Sequence, residues 1–284
     1  MNRKAMKQLV YFQIFRITTI SIVLFLFYML WTFVLNGLGV VNWTFLTDIP
    51  RNGMTAGGIF PAIIGTIYLT LMTIIFTVPV GVASAIYLVE YAHEGRFVDI
   101  INSAITNLAG VPSIIHGLFG FGLFVVLLNF GTSLLSGALA LSLLDLPIVI
   151  SASREALLSV PKSFREGSLA LGATKWETIR HNVLIYALPG ILTGTILAVA
   201  RAAGETAPII LTATFFYRPN LPTSLLDGTM SLPTHIYYMA TQHYNIALVQ
   251  PLTYGAALVL LLIVILMNIV AIVIRSRYRK MKKW

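Results

Sequence analysis

Apolar residues in this chain come in long unbroken runs rather than in alternation or narrow helical stripes. Six runs, roughly 17–38, 61–88, 104–128, 133–153, 186–212 and 251–274, match a membrane-crossing helix, which takes about 20 residues. The first follows Arg3, Lys4, Lys7 and Arg16, like the basic start of a signal peptide. Its apolar run is too long for one, and no small-residue cleavage site stands around Leu35–Gly39. It reads as an uncleaved anchor, with Tyr28 and Trp31 at its far interface. Ile100 to Leu144 carries no charged residue, and Asn129-Phe130-Gly131-Thr132-Ser133 divides that stretch into a tight helical hairpin. Segment 213–250 differs: Pro219, Pro222 and Pro233 precede Tyr237, Tyr238 and Tyr244. It reads as an outer loop with a short interfacial helix near His235–Gln242.

Charge orients the runs. With both termini in the cytoplasm, sixteen of the 19 Lys and Arg residues fall inside, and only Arg51 and Arg218 fall outside. That asymmetry is the positive-inside pattern. It accounts for the net charge of +9 without nucleic acid as a partner. Composition agrees: 57% of the 284 residues are hydrophobic and 10% charged, which excludes a soluble globular domain and a disordered chain. With no cysteine, disulfide and thiolate chemistry are excluded. The expected fold is an all-α integral membrane protein of six transmembrane helices, both termini cytoplasmic, spanning a lipid bilayer as a multi-pass chain. Residues 1–56 form the tail, first helix and outer loop; 57–284 form the core.

Enzyme signatures are absent from the sequence. No glycine is followed by lysine, so there is no Walker A phosphate loop, and neither an H-E-x-x-H motif nor a G-x-S-x-G elbow occurs. The five histidines lack metal-ligand spacing, and His116, in an apolar run, suits a hydrogen-bonded structural role. An intramembrane enzyme therefore has no nucleophile, base or metal set to rest on.

One charged group does need explaining. Arg201 lies about 15 residues into the fifth run, some 22 Å along a helix, where even insertion scales put an arginine roughly 2.5–3.5 kcal/mol uphill. Glu205 is four residues on and can pair with it. Gly204 leaves room beside them, and Pro208 frees a backbone carbonyl and bends the helix. Gly190, Gly194, Ala198, Ala202 and Thr206 form a small-residue stripe on the same run, suited to close helix packing. Two readings stand for Arg201 and Glu205: an ion pair that locks a bundle, or a translocation site where the guanidinium offers forked donors to an oxyanion. Glu205 would then favour hydrogen phosphate, which can donate a proton to it, over sulfate, which cannot. Asp145, before Pro147 in the fourth run, is placed about two turns from the cytoplasmic end. It suits pairing with a basic neighbour or capping a broken helix.

The cytoplasmic loop 154–185 carries a second signal. Pro161 and Ser163 suit a helix start, with Glu166 three residues after Ser163 as in a capping box, and Gly172 suits a turn between two short helices. Ala170, Leu171, Trp176 and Ile179 give an apolar surface flanked by charge, which suits a protein partner or a membrane surface. Glu166-Gly-Ser, three residues and Gly172 together resemble the EAA loop of bacterial ABC importer permeases. Leu184 fits the pattern's Leu-Pro, with Ile185 in place of the proline. Gly57–Thr66, Leu108–Gly120 and Ala200–Pro208 resemble the PstA-type permeases of phosphate-specific importers, with His116 where an aromatic is expected.

The resemblance implies a bacterial plasma (inner) membrane permease that translocates inorganic phosphate and is not itself catalytic. In it, Glu166, Gly172, Ala173 and Trp176 would couple to an ATP-binding subunit dimer. Arg201 and Glu205 would meet the substrate. A second, PstC-type permease subunit would complete the path, and an extracytoplasmic phosphate-binding protein would deliver the ion. No cofactor is expected on this chain; ATP and Mg would be used by the partner ATPase. Two alternatives stand: an importer of sulfate, molybdate or phosphonate, and a proton-coupled carrier with Glu205 titrating, which has no need of such a loop.

Overall fold

Residues 3–93 and 95–280 are described by a computed structural model; Lys282 and Lys283 of the basic tail lie outside them. The first helix, α1 (Arg3–Gly37), lies along the last and is exposed over most of its length. A short α2 (Trp43–Thr47) and a hairpin of β1 (Pro50–Arg51) and β2 (Ala56–Gly57) lead into α3 (Phe60–Ile86). Helix α3 ends in a π-helical turn, Tyr87–Tyr91. Then come α4 (Arg96–Ala109), α5 (Ser113–Gly120) with its π-helical extension Phe121–Leu127, and α6 (Leu134–Leu158). Two short helices, α7 (Lys162–Ala170) and α8 (Lys175–Thr178), follow. Through the π-helical turn Ile179–Val183, α8 continues into α9 (Leu184–Gly204). The chain closes with α10 (Ala207–Thr212), α11 (Leu232–Thr241) and α12 (Ile246–Lys280).

Among the described residues, five helices are long and apolar enough to cross a membrane, and six if the bent pair α4–α5 is one span. The third predicted span, 104–128, is therefore corrected: it is not one straight helix. It breaks at Gly110–Pro112, and its two arms are bent by 105°. Pro112 supplies no N–H and disfavours helical backbone at the residue before it, so α4 closes at its C-cap Gly110 and α5 starts afresh. The fifth predicted span, 186–212, is corrected at both ends. Its helix runs on from α8 at Lys175 and stops at Gly204, with Glu205 extended at φ −70°, ψ 139°. Pro208 has no N–H for the Gly204 carbonyl, and its ring would crowd that carbonyl in a continuous helix. The predicted hairpin at Asn129–Ser133 and the helix near His235–Gln242 both form: Asn129 and Gly131 take positive φ, Ser133 caps α6, and α11 covers Leu232–Thr241.

The core centres on α6, which packs against both α3 and α9, and these two also touch each other. Lipid gives no hydrophobic drive between helices, so close approach of backbones has to hold them. A Cβ on Gly81 of α3 would lie 2.7 Å from Val149 Cγ1, and Gly190 and Gly194 of α9 face Ala156 and Ala152. The small-residue stripe thus packs α9 on α6, except that Thr206 lies past the helix end. On α3, the buried Thr66, Thr70 and Thr73 hydroxyls donate to carbonyls one turn back, which satisfies them without water. Thr66 Oγ1 also accepts from the Leu232 N–H at 2.8 Å, fixing α11 to α3.

Candidate functional site

Arg201 occupies the last turn of α9, where the carbonyl end of the helix favours a cation. Its Nε donates to Glu205 Oε1 at 3.1 Å. The pair predicted from sequence is present, but it bridges the end of α9 rather than one face of an unbroken helix. A second acid joins it. Asp145 Oδ1 lies 3.8 Å from the same Nε, and the Asp145 side chain is fully buried in the middle of α6, with neither oxygen hydrogen-bonded to a described residue. The sequence-based placement of Asp145 near a helix end is corrected: α6 runs on to Leu158, so the residue is at mid-span. The expected pairing with a basic neighbour is met by Arg201.

Two carboxylates therefore share one edge of one guanidinium. Burying an acid without a cation or donors is expensive, and Arg201 is the only cation within ion-pair distance of Asp145 among the described residues. Both contacts use Nε, while Nη1 and Nη2 carry no hydrogen bond to a described residue. The Arg201 side chain is 37% exposed, against 18% for Glu205 and none for Asp145. Gly204 adjoins open space: a Cβ there would meet nothing within 4 Å. The site is thus a forked donor facing outward from the chain, held from behind by acids.

Helix α5 abuts this break. A Cβ on Gly117 would lie 2.8 Å from Pro208 Cα, so the Gly-Val-Pro-Ser and Arg-Ala-Ala-Gly-Glu-Thr stretches, distant in sequence, pack together. His116 is buried, with Nδ1 3.4 Å from the Pro112 carbonyl and Nε2 without a hydrogen bond to a described residue. No cluster of three or more His, Asp or Glu side chains among the described residues is arranged to hold a metal ion.

The loop 154–185 gathers its residues differently. Glu166 is exposed on α7, and Gly172 turns the chain at φ +85° between α7 and α8. Ala173 is half-buried, while Leu171 and Trp176 stand out, 90% and 52% exposed. Ile179 does not join them: it is buried against the bundle, a correction to the predicted surface. The Ser163–Glu166 capping box is also absent. Pro161 is the N-cap, which puts Ser163 inside α7, and the capping box forms instead between Thr174 and Glu177 at α8. Two hydrogen bonds from Thr174 hold the Glu177 carboxyl below its ordinary range.

Two contacts here were not found from sequence. Arg165 of α7 pairs with Glu90 at 2.7 Å, and Arg154 donates to Asn102 at 2.9 Å. Their partners lie 75 and 52 residues away. The only sequence signal is an acid, Glu90, left at the end of a long apolar run.

The fold and these motifs have counterparts. Over 97% of this chain and 98% of the other, the structure superposes on a bacterial ABC transporter involved in import of the acidic polysaccharide alginate, with TM-score 0.69 and 13% identity, a likeness of fold alone. Two relatives are closer in sequence. The phosphate transport system permease protein PstA 1 of Mycobacterium tuberculosis is 38% identical over 88% of this chain and 82% of its own length. The phosphate transport system permease protein PstA of Xylella fastidiosa is 34% identical over 84% and 82%. Residues 77–280, from within α3 to the end of α12, match one family model across both the Arg201 ion pairs and the loop. The chain belongs to the binding-protein-dependent transport system inner membrane components, a multi-pass permease of that family.

Proposed function

We propose that this chain is a translocation subunit of an ATP-driven importer and that Arg201 receives inorganic phosphate on its way to the cytoplasm. The observation that carries this is the guanidinium itself: inside an apolar span, held by acids at Nε, with its two-nitrogen fork open. A planar fork matches two oxygens of an oxyanion, and the names of the two relatives specify phosphate. Glu205 then works twice. It holds Arg201 between transport events, and it accepts a hydrogen bond from hydrogen phosphate that sulfate cannot give.

The rest of the assembly follows from what the chain lacks. Without a Walker A loop, energy has to come from a separate pair of ATPase subunits, which use ATP and Mg. The exposed Leu171 and Trp176, beside Glu166, Gly172 and Ala173, form the surface that meets them. The basic end of the bundle faces the cytoplasm. A second permease subunit of PstC type closes the path at the open side of Arg201, and an extracytoplasmic phosphate-binding protein delivers the ion.

The test is uptake of labelled phosphate by cells carrying the chain with its partner subunits, with and without excess sulfate. Uptake that resists sulfate in the wild type and collapses in Arg201→Ala is expected. Competition by sulfate would widen the cargo to oxyanions generally. Normal uptake by Arg201→Ala would return the residue to a structural ion pair. A Glu205→Gln variant that kept its preference for phosphate over sulfate would refute the role given to that carboxylate.

A further inference from the structure

Arg165 directly precedes Glu166 in α7, yet it turns inward. Its Nε donates to both Glu90 oxygens, at 3.1 and 3.3 Å, and Nη2 donates to Oε1 at 2.7 Å. Nη2 also donates to the Leu157 carbonyl at 2.9 Å, and Nη1 to the Val160 carbonyl at 2.8 Å. Both side chains are largely buried, 20% exposed for Arg165 and 7% for Glu90. The Leu157 carbonyl belongs to the last turn of α6, outside the regular helical ladder, and accepts from the Val160 N–H as well, at 3.3 Å. Glu90 stands in the π-helical turn that ends α3. A single guanidinium thus fastens three segments: α7, the end of α3 and the end of α6.

The other half of the loop is fastened in a different way. Helix α8 needs no side-chain joint to reach the bundle, because Lys175–Gly204 is one continuous helical rod ending at Arg201 and its break. Between the halves lie the Gly172 turn, a hydroxyl contact from Thr178 Oγ1 to Ser168 Oγ at 3.0 Å, and the Phe164 ring of α7 packed on Tyr186 of α9 with centroids 4.8 Å apart. The loop therefore has two outlets, side-chain on one side and backbone on the other. A charge-assisted network with nearly all its donors used is stiff, and stiffness is what a transmitted displacement requires.

Resting on the reading of 154–185 as the ATPase-coupling loop, we propose that Arg165 is a positioning residue that locks α7 to the ends of α3 and α6. A push on α7 reaches those two spans through its contacts to Glu90, Leu157 and Val160. The same push reaches α9 through α8. Without the Arg165 joint, α7 keeps only apolar contacts to the bundle, Phe164 among them, and a push on it reaches α3 and α6 less directly than it reaches α9.

The experiment uses the assembled transporter in proteoliposomes with its binding protein, measuring phosphate uptake and ATP hydrolysis on the same preparation. Arg165→Lys keeps the charge but loses the fork, and Glu90→Gln keeps the shape but loses the charge. For each, phosphate carried per ATP hydrolysed is expected to fall about tenfold, with the ATPase still co-purifying at wild-type ratio. Glu90→Gln guards against a variant that fails to fold, and the exchange Arg165→Glu with Glu90→Arg is expected to recover part of the lost coupling. A lower yield of complex with unchanged phosphate per ATP would overturn the proposal and leave a purely structural bridge. If the wild-type chain neither binds the ATPase nor takes up phosphate with it, the reading of the loop fails and the joint falls with it. If the wild type couples and both variants couple equally well, only the joint fails.

Discussion

Arg165 and Arg201 are both arginines paired with acids in an apolar bundle, and they are finished differently. Arg165 meets one carboxylate and two carbonyls, spends every nitrogen, and is mostly buried. Arg201 meets two carboxylates through Nε alone and leaves its fork unpaired and partly exposed. A guanidinium with nearly all its donors met has little left to offer a ligand, so it serves as a joint. One crowded by acids at one edge and open at the other can exchange partners, because a new anion fills donors already present. A count of donors, without reference to any relative, is thus what sets the proposed joint apart from the proposed site.

The largest effect is expected at the open fork. In Arg201→Ala, phosphate uptake should fall about 100-fold or more, as when one side of a hydrogen-bonded charge pair is removed. In Arg201→Lys, which keeps the charge as a point donor, the fall should be about 10- to 100-fold. Uptake rates normalised to chain in the membrane check both. A lysine variant that transports like the wild type would break the comparison, since charge alone would then suffice at Arg201.

At the closed joint the expected effect is on stability first. Arg165→Ala leaves Glu90 buried without its cation, which costs about 3–5 kcal/mol. Replacing both partners by apolar residues, Arg165→Met with Glu90→Leu, should recover most of that, since no stranded charge remains. Thermal unfolding of the detergent-purified protein measures both. The apolar pair should be stable and still poorly coupled, which separates holding the bundle together from transmitting motion through it.

His235 shows a third way to finish a buried basic group: no acid at all. It sits in α11 with Nδ1 bonded to no described residue, and burial alone pushes its imidazole from 6.5 down to about 4. The ring is neutral in the folded chain at neutral pH, and the unfolded chain takes up its proton first on acidification. The stability this neutrality contributes is present above about pH 6.5 and is lost as pH falls towards 4, by about 3 kcal/mol in all. Thermal unfolding between pH 4 and 7 should show a steeper acid loss in the wild type than in His235→Phe. Parallel curves would mean the ring is not held neutral.

What the sequence discloses here depends on distance along the chain. The spans are legible because run length is a local property, and the Arg201–Glu205 pair because two charges four apart break an apolar run. Asp145 is visible as an oddity, yet its partner is 56 residues away in α9, and nothing local points there. Arg165 is hidden further: it sits beside Glu166 in a loop where charge is ordinary. The breaks at Gly110–Pro112 and Gly204 are missed because a window of about 20 residues averages over them. Pro208 signals a bend, but its effect falls on the carbonyl four residues back, which moves the helix end ahead of Glu205. The misplaced capping box has the same character. Ser163 and Thr174 each stand three residues before a glutamate, and only the start imposed by Pro161 puts Ser163 inside the helix and leaves Thr174 at a cap.

The smallest expected effect bears most directly on the two acids at Arg201. Asp145→Asn keeps the shape in α6 and removes one of the two acids facing Nε. If Arg201 exchanges its partners for phosphate, a guanidinium balanced by Glu205 alone should bind the anion more tightly, with apparent KM lower by about threefold. Maximal uptake should then drop by a comparable factor, because a more tightly held ion leaves more slowly. A KM that rises instead would give Asp145 the opposite duty: its charge would be needed to aim the fork, and removing it would let Arg201 collapse onto Glu205. The two outcomes differ in the sign of one constant, so a single uptake titration on one conservative variant decides whether the second acid competes with the substrate or prepares the site for it.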